Sequence, residues 1–337
     1  IISNGLIVSS LFYGESLDTS GAFSRGGALF FSILFLGWLQ LTELMPAVTG
    51  RSIVARHKDY AFYRPSAVSI ARVVVDFPAI FCMVVPFTII VYFMTGLDVD
   101  VSKFFIYFLF VYTTTICITS LYRMFAALSP TIDDAVRFAG IGLNLLIIYV
   151  GYVIPKQSLI SDSIWFGWLF YVNPLSYSYE SVLTNEFTDR TMECNPSQLV
   201  PQGPNVDPQY QGCALTGSTL GSTSVSGSQY LATNFQFTRH HMWRNFGVII
   251  AFTVLYILVT IWAAEFLSFG GGGGGALVFK KSKRAKNITA QTTNGNDEEK
   301  VANATDNAAL AQGKGSSGED AAFSRLSESE RCFTWQN

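Results

Sequence analysis

The sequence predicts an all-α membrane protein, and three observations carry that prediction: composition, long apolar runs and the placement of basic residues. Half of the 337 residues are hydrophobic, only 14% are charged and 28 are Phe. Several runs approach the ~20 apolar residues that a helix needs to cross a hydrocarbon core of about 30 Å. Lys and Arg gather at the ends of these runs, and the formal net charge is −2, so nucleic-acid binding has little support.

The stretch from Arg51 to Pro78 orients the chain. Arg51, Arg56, His57, Lys58, Arg64 and Arg72 lie where one apolar run has ended and the next has hardly begun. An excess of cations in a short loop assigns it to the cytoplasmic side. Tyr60, Phe62 and Tyr63 interleave with them, which suits a docking surface better than simple headgroup contact.

The elements follow in order. Residues 1–13 are apolar but would rise only about 20 Å as a helix, so they read as the outer end of a span. Residues 27–45 form a full span that Pro46 and Gly50 close. Residues 73–94 form the next, with Asp76, Pro78 and Pro86 inside it and a kink expected at the prolines. Asp98 and Asp100 mark a tight outer turn. Residues 103–128 return and end near Arg123; Thr131 or Asp133 then caps a fifth span over 135–153, whose Gly140, Gly142, Asn144 and Gly151 allow close helix packing. Residues 154–243 read as a long extracellular loop, rich in Pro, Gly, Ser and Thr. The last span covers 246–269, and Lys280–Lys286 hold its end in the cytoplasm. Residues 270–332 read as a flexible linker with too little apolar surface to fold alone.

Charged residues beside the spans are Glu43, Arg72, Asp76, Arg123, Arg137 and Glu265, all expected near the cytoplasmic ends, which argues against an ion pathway through the bilayer centre. Arg72 and Asp76 are four apart and could pair on one helix face. Five cysteines form no CxxC pair and no zinc spacing, and no metal site is expected. Cys194 and Cys213 are expected to form a disulfide, since both fall in the outer loop; Cys82, Cys117 and Cys332 are expected to be free. His240 and His241 have no third ligand nearby and read as interface residues. No HExxH or GxSxG occurs, and the Gly313–Lys314 pair lacks a P-loop around it, so neither catalytic site nor ATP site is expected in this stretch. Asn287 and Asn303 sit in glycosylation sequons that the topology leaves in the cytoplasm.

A set of longer motifs then carries a resemblance: GALFFSILF (27–35), RHKDYAFYRPSAVSIARVVVDFP (56–78), GYVIP (151–155), WLFYVNPLSYSYES (168–181) and NEF (185–187). In order and spacing they resemble the first transmembrane domain of the fungal pleiotropic drug resistance ABC transporters, a G-type subfamily, and residues 333–337 resemble the entry to a second nucleotide-binding domain. The resemblance implies a six-helix domain over residues 1–269 that pairs with a second membrane domain and with nucleotide-binding domains using ATP and Mg. It implies export of hydrophobic small molecules across the plasma membrane. Within it, Phe35, Trp38, Asn144 and Ile147 are expected to line the substrate cavity, and Tyr152 and Val153 to form an extracellular gate. Arg56, His57, Lys58, Tyr60 and Tyr63 are expected to form a coupling loop, and Glu43, Arg72, Asp76 and Arg123 a polar relay at the helix ends. Two other functions stay open: export of a lipid or sterol by the same fold, and a receptor or scaffold that transports nothing.

Overall fold

The computed structural model describes residues 1–16, 18–161, 166–203, 210–214, 217–218 and 221–267. The expectations for residues 270–337, Cys332 among them, lie outside these residues. Among the described residues, four stretches are long and apolar enough to cross a membrane: Gly21–Asp59, Pro65–Met94, Val101–Leu128 and Arg239–Phe266.

The first stretch is built from α2 (Thr19–Leu39), a 3₁₀ turn at Gln40–Glu43, α3 (Leu44–Thr49) and α4 (Arg51–Asp59). Pro46 and Gly50 do not close it. Pro46 sits in the first turn of α3, where its missing amide breaks no helical bond, and Gly50 keeps a right-handed helical φ of −67°. The preceding α1 (Ile2–Leu11) packs on the next long helix, with Gly5 against Phe87.

That helix, α5 (Pro65–Met94), begins eight residues before the apolar run that suggested it. Arg64 is extended, and Pro65 brings a fixed φ to the first helical position. Helix α5 continues through Pro78 and Pro86. Asp100 then caps α6 (Val101–Leu128) by accepting from the Ser102 amide at 3.0 Å. Thr131 caps α7 (Ile132–Ile148) by accepting from the Asp134 amide at 3.2 Å.

Helix α7 ends at Ile148, short of the expected 153. Gly151 has φ +100°, and a Cβ there would stand 3.1 Å from the Phe170 ring, so only glycine fits the turn. Asn173 donates to the Leu146 carbonyl at 2.7 Å and takes over a bond that further helix would have made.

The largest difference from expectation lies within residues 154–243. After α8 (Lys156–Ser161) and α9 (Trp168–Val172) comes α10 (Pro174–Phe187), in which every residue except Tyr177 is buried. Its sequence, PLSYSYESVLTNEF, is half polar. Burial is tolerable because the surrounding helices satisfy several of the polar groups, leaving Glu180 Oε1 and Asn185 Oδ1 without a hydrogen-bond partner among the described residues. Thr114 of α6 donates to Ser178 Oγ at 2.7 Å, Asn185 donates to the Lys103 carbonyl at 2.9 Å, and Tyr179 donates to the Gly26 carbonyl at 3.4 Å. From α12 (Met242–Phe266), Asn245 donates to Ser181 Oγ at 3.3 Å. This stretch is therefore the hydrogen-bonded hub of the bundle and not an open loop.

A small lid follows α10. Strand β1 (Thr191–Glu193) pairs antiparallel with β4 (Ser224–Ser226), and β2 (Leu199–Val200) with β3 (Gly212–Cys213). Helix α11 (Gly227–Asn234) begins where a Cβ on Gly227 would overlap the Phe187 carbonyl oxygen at 1.9 Å, so the lid lies directly on the end of α10. Cys194 and Cys213 are joined, with Cα atoms 6.0 Å apart and a separation of 19 in sequence. A loop of that length makes the cross-link worth about 3 kcal/mol on the chain-entropy estimate. Mass spectrometry of the non-reduced protein should find the two cysteines linked, and mild reduction should lower the melting temperature of the lid; two free thiols would refute the pairing. Among the described residues Cys82 and Cys117 are free.

Candidate functional site

At the end of the bundle that carries α4, the chain presents charge and aromatic rings together. Tyr60 and Phe62 are each 70% exposed. The His57 ring lies 5.7 Å from Phe62 and 5.3 Å from Tyr63, and His57 Nδ1 is hydrogen-bonded to the Tyr63 hydroxyl. The hairpin closes through Ala61 at φ +55° and through the Phe62 amide donating to the His57 carbonyl at 3.0 Å. Helix α4 starts at Arg51 and ends at Asp59, so Tyr60 and Tyr63 belong to the turn after the helix. Arg56 is exposed, while Lys58 reaches across to donate to the Glu265 carbonyl at the end of α12, 3.1 Å away.

Deeper at this end, three of the four expected relay residues meet. Arg123 of α6 grips Asp76 of α5 with two donors, one at 2.8 Å to Oδ1, and holds Glu43 Oε2 at 3.1 Å. The bidentate fork ties α6 to α5 and to the 3₁₀ turn after α2. Arg72 is not part of this cluster: Asp76 is taken by Arg123, and Arg72 has no carboxylate within ion-pair distance among the described residues. Arg137 is exposed and pairs with Asp134 at 3.6 Å, one turn away.

The four residues expected to line a cavity do not meet in one. Phe35 stacks on Phe87 of α5 at 5.8 Å, and Trp38 is 54% exposed on α2. Asn144 lies on α7, exposed and bonded to its own helix through the Gly140 carbonyl at 3.0 Å; Ile147 packs partly against the core. Exposed Ile141, Leu145 and Ile148 flank Asn144, and exposed Phe31 lies on the same helix as Trp38. Tyr152 is drawn into an aromatic cluster at the lid end, with ring centroids 5.1 Å from Phe23, 4.9 Å from Phe30 and 5.9 Å from Tyr179. Val153 beside it is exposed.

Sequence reasoning missed a second charged cluster, at the lid end. Glu186, 3% exposed, accepts from the Asp98 amide at 3.1 and 3.2 Å and faces Arg190 at 3.3 Å and Arg25 at 3.9 Å. Asp98 in turn holds Lys103 at 2.6 Å and Arg190 at 3.5 Å. Burial pushes the Glu186 carboxyl up to about 7, outweighing the pull of Arg190, the Asp98 amide and Arg25. Charged residues beside the spans therefore occur at both ends and not only at the α4 end. The NEF motif was the available signal: its Asn185 and Glu186 are the residues that bind the α5–α6 corner. His241 stands 3.5 Å from the buried Glu180 carboxylate in the same region. No group of three His, Cys, Asp or Glu is arranged to hold a metal among the described residues.

Comparison with known proteins adds two family matches: the ABC-2 type transporter family over residues 1–187 and the CDR ABC transporter family over residues 200–288. The chain is 79% identical over its whole length to the ABC multidrug transporter atrF of Aspergillus fumigatus, covering 22% of that protein, and 80% identical to its namesake in Aspergillus flavus, again covering 22%. It is 36% identical over 86% of its length to the Brefeldin A resistance protein of Schizosaccharomyces pombe, covering 19% of it. The chain thus spans about a fifth of the length of the curated relatives it matches.

Proposed function

The chain belongs to the ABC-2 type transporter family, on the fungal pleiotropic drug resistance branch, and from that premise we propose that it is the first membrane domain of an ATP-driven pump exporting hydrophobic drugs from the plasma membrane. The names of the similar proteins, multidrug transporters and a resistance protein, support export of drugs over a receptor or scaffold role. Under this reading the α4 end faces the cytoplasm and the disulfide-linked lid faces outward. ATP and Mg would be held by nucleotide-binding domains outside this chain, whose residues supply no phosphate loop.

One observation carries the mechanism. The basic and aromatic tip at Arg56–Tyr63 terminates a stretch of 39 residues from Gly21 to Asp59, helical apart from a 3₁₀ turn at Gln40–Glu43 and the turn at Gly50, and leads within a few residues into α5. A nucleotide-binding domain that grips this tip differently in its two states would move α2 and α5 together, since only a differential contact shifts an equilibrium. The fork from Arg123 to Asp76 and Glu43 spreads that motion to α6. The exposed apolar faces of α2, with Trp38, and of α7, with Asn144, would meet a second membrane domain. Phe35, Trp38, Asn144 and Ile147 would then line a cavity shared between the two halves, with few polar groups and hence broad selectivity. Tyr152, locked among aromatic rings, and Val153 would close it on the outer side.

Replacing His57, Lys58 and Tyr60 together by alanine in the full-length transporter should leave delivery and drug binding near normal while lowering drug exported per ATP hydrolysed several-fold. The two rates should be measured side by side in proteoliposomes. Normal export by a triple variant that reaches the membrane would show that this tip is no more than a charged anchor.

A further inference from the structure

Two separate sets of contacts fasten α2 to α10 at the lid end. The first is aromatic: Tyr152 stacks on Phe23 and Phe30 of α2 and meets Tyr179 of α10 edge-on, while the Tyr179 hydroxyl donates to the Gly26 carbonyl. The second is ionic and lies two turns further along α10. Arg25, next to Gly26 on α2 and buried, places its guanidinium 3.9 Å from the Glu186 carboxylate. The same guanidinium donates to the Gly96 carbonyl of the α5–α6 corner at 3.0 Å and to the carbonyls of Glu15 and Ser16, before α2, at 3.1 and 3.4 Å. Opening the rings around Tyr152 by moving α2 away from α10 therefore also parts Arg25 from Glu186.

The groups that face Glu186 come from every element around it. They are Arg25 from α2, Arg190 one turn beyond it, and Asp98 from the α5–α6 corner, through both its amide and its carboxylate. Behind these, Lys103 of α6 holds Asp98 at 2.6 Å and stands 4.0 Å from Asp189, which takes Arg239 of the turn before α12 at 2.6 Å. The Tyr92 hydroxyl of α5 donates to the Asp98 carbonyl. The lid is tied to the same place, since the Gly227 amide donates to the Arg190 carbonyl at 2.7 Å.

We propose that Glu186 is a proton-operated latch on the outer gate: protonated, it holds α2, α10 and the lid together with the gate shut, and its ionisation favours opening. The inference rests on the reading of the chain as part of a pump whose outer gate includes Tyr152. Buried in the closed arrangement, the carboxyl ionises near 7, because desolvation outweighs Arg190, the Asp98 amide and Arg25; once water reaches it, it returns toward the ordinary 4.5. A group that binds its proton more tightly in one arrangement favours that arrangement as pH falls. With these two values the closed-to-open ratio rises by up to about twentyfold between about pH 7.5 and about pH 5.5. Acid on the outer side therefore keeps the gate shut, and neutral conditions release it.

The test is hydrogen exchange of the purified full-length transporter, corrected for the intrinsic effect of pH on exchange, at about pH 5.5 and about pH 7.5. Protection of residues 22–30 and 174–187 should fall by up to about twentyfold from the lower to the higher pH in the wild type. In Glu186→Gln, which cannot ionise, it should stay constant. Arg190→Gln removes the cation that most favours the ionised form, so the midpoint of the change should move to higher pH. Exchange independent of pH in the wild type, or the wild-type dependence retained by either folded variant, would overturn the proposal. In inside-out vesicles with a constant bath, ATP-driven uptake of a drug without titratable groups should be several-fold slower into an acid lumen than into a neutral one. Equal uptake would overturn the role of the latch in export. No uptake at either pH, with the exchange pattern intact, would overturn the pump reading instead.

Discussion

Replacing Arg123 by alanine should destabilise the membrane domain by about 1–3 kcal/mol, less than for a fully buried ion pair because Asp76 and Glu43 stay 21% and 37% exposed. The side chain is 12% exposed and is the common partner of Asp76 and Glu43, which come from different segments of the chain. Without it, two partly exposed carboxylates, Asp76 at 21% and Glu43 at 37%, are left close together, and neither has another cation within ion-pair distance among the described residues. The full-length variant should be retained inside the cell and should melt well below the wild type after solubilisation. Adding Asp76→Asn should recover part of the loss, because the amide keeps the shape and removes the orphaned charge. A double variant no better than the single one would mean that Arg123 acts through packing of its stem and not through charge.

The second large effect concerns pH. Glu186 ionises near 7 in the folded chain against an ordinary 4.5, because burial outweighs its cationic neighbours. The groups facing it are Arg25 from α2, the Asp98 amide and carboxylate from the α5–α6 corner, and Arg190 one turn along the chain. Lys103 stands behind Asp98. A raised carboxyl means that the folded state holds its proton in a range where the unfolded chain has lost it. Stability contributed by this group is therefore complete below about pH 4.5 and declines as pH rises to about 7, by at most about 3 kcal/mol at 1.36 kcal/mol per pH unit. The melting temperature of the full-length protein should fall across that window, and Glu186→Gln, which cannot ionise, should flatten the slope. An identical slope in the variant would place the titration on another residue.

Much of the fold is legible because lipid imposes a simple rule on sequence. Runs of 20 or more apolar residues bounded by cations mark α5, α6 and α12 to within a turn at most ends. Where the reading departs, the cause is local or long-range in an identifiable way. The start of α5 was missed by eight residues because SAVSIAR is helical without being strongly apolar. Helix α10 was missed because SYSYES and TNE show no apolar face, and its burial depends on donors and acceptors brought by α2, α6, α7 and α12. Asp98 and Glu186 are 88 residues apart, so no window along the sequence joins them. The Arg72–Asp76 spacing permitted a pair, but Arg123, 47 residues further on, has two donors in better position for the same carboxylate. Motif resemblance located Asn185 and Glu186 without saying what they hold.

The buried polar helix has a consequence for how the protein is made. Helix α10 finds its partners on both sides in sequence, and one wall, α12, is synthesised last, ending about eighty residues after α10 does. At ribosomal speeds that leaves roughly 4–16 s in which a half-polar segment waits beside the membrane with Ser181 still lacking its Asn245 partner. Nascent chains stalled before residue 242 should therefore engage chaperones and the degradation machinery of the secretory pathway, and those released after residue 267 should escape them. Variants that slow docking of α10 would act as trafficking defects, correctable by growth at lower temperature, even where the finished transporter is fully active.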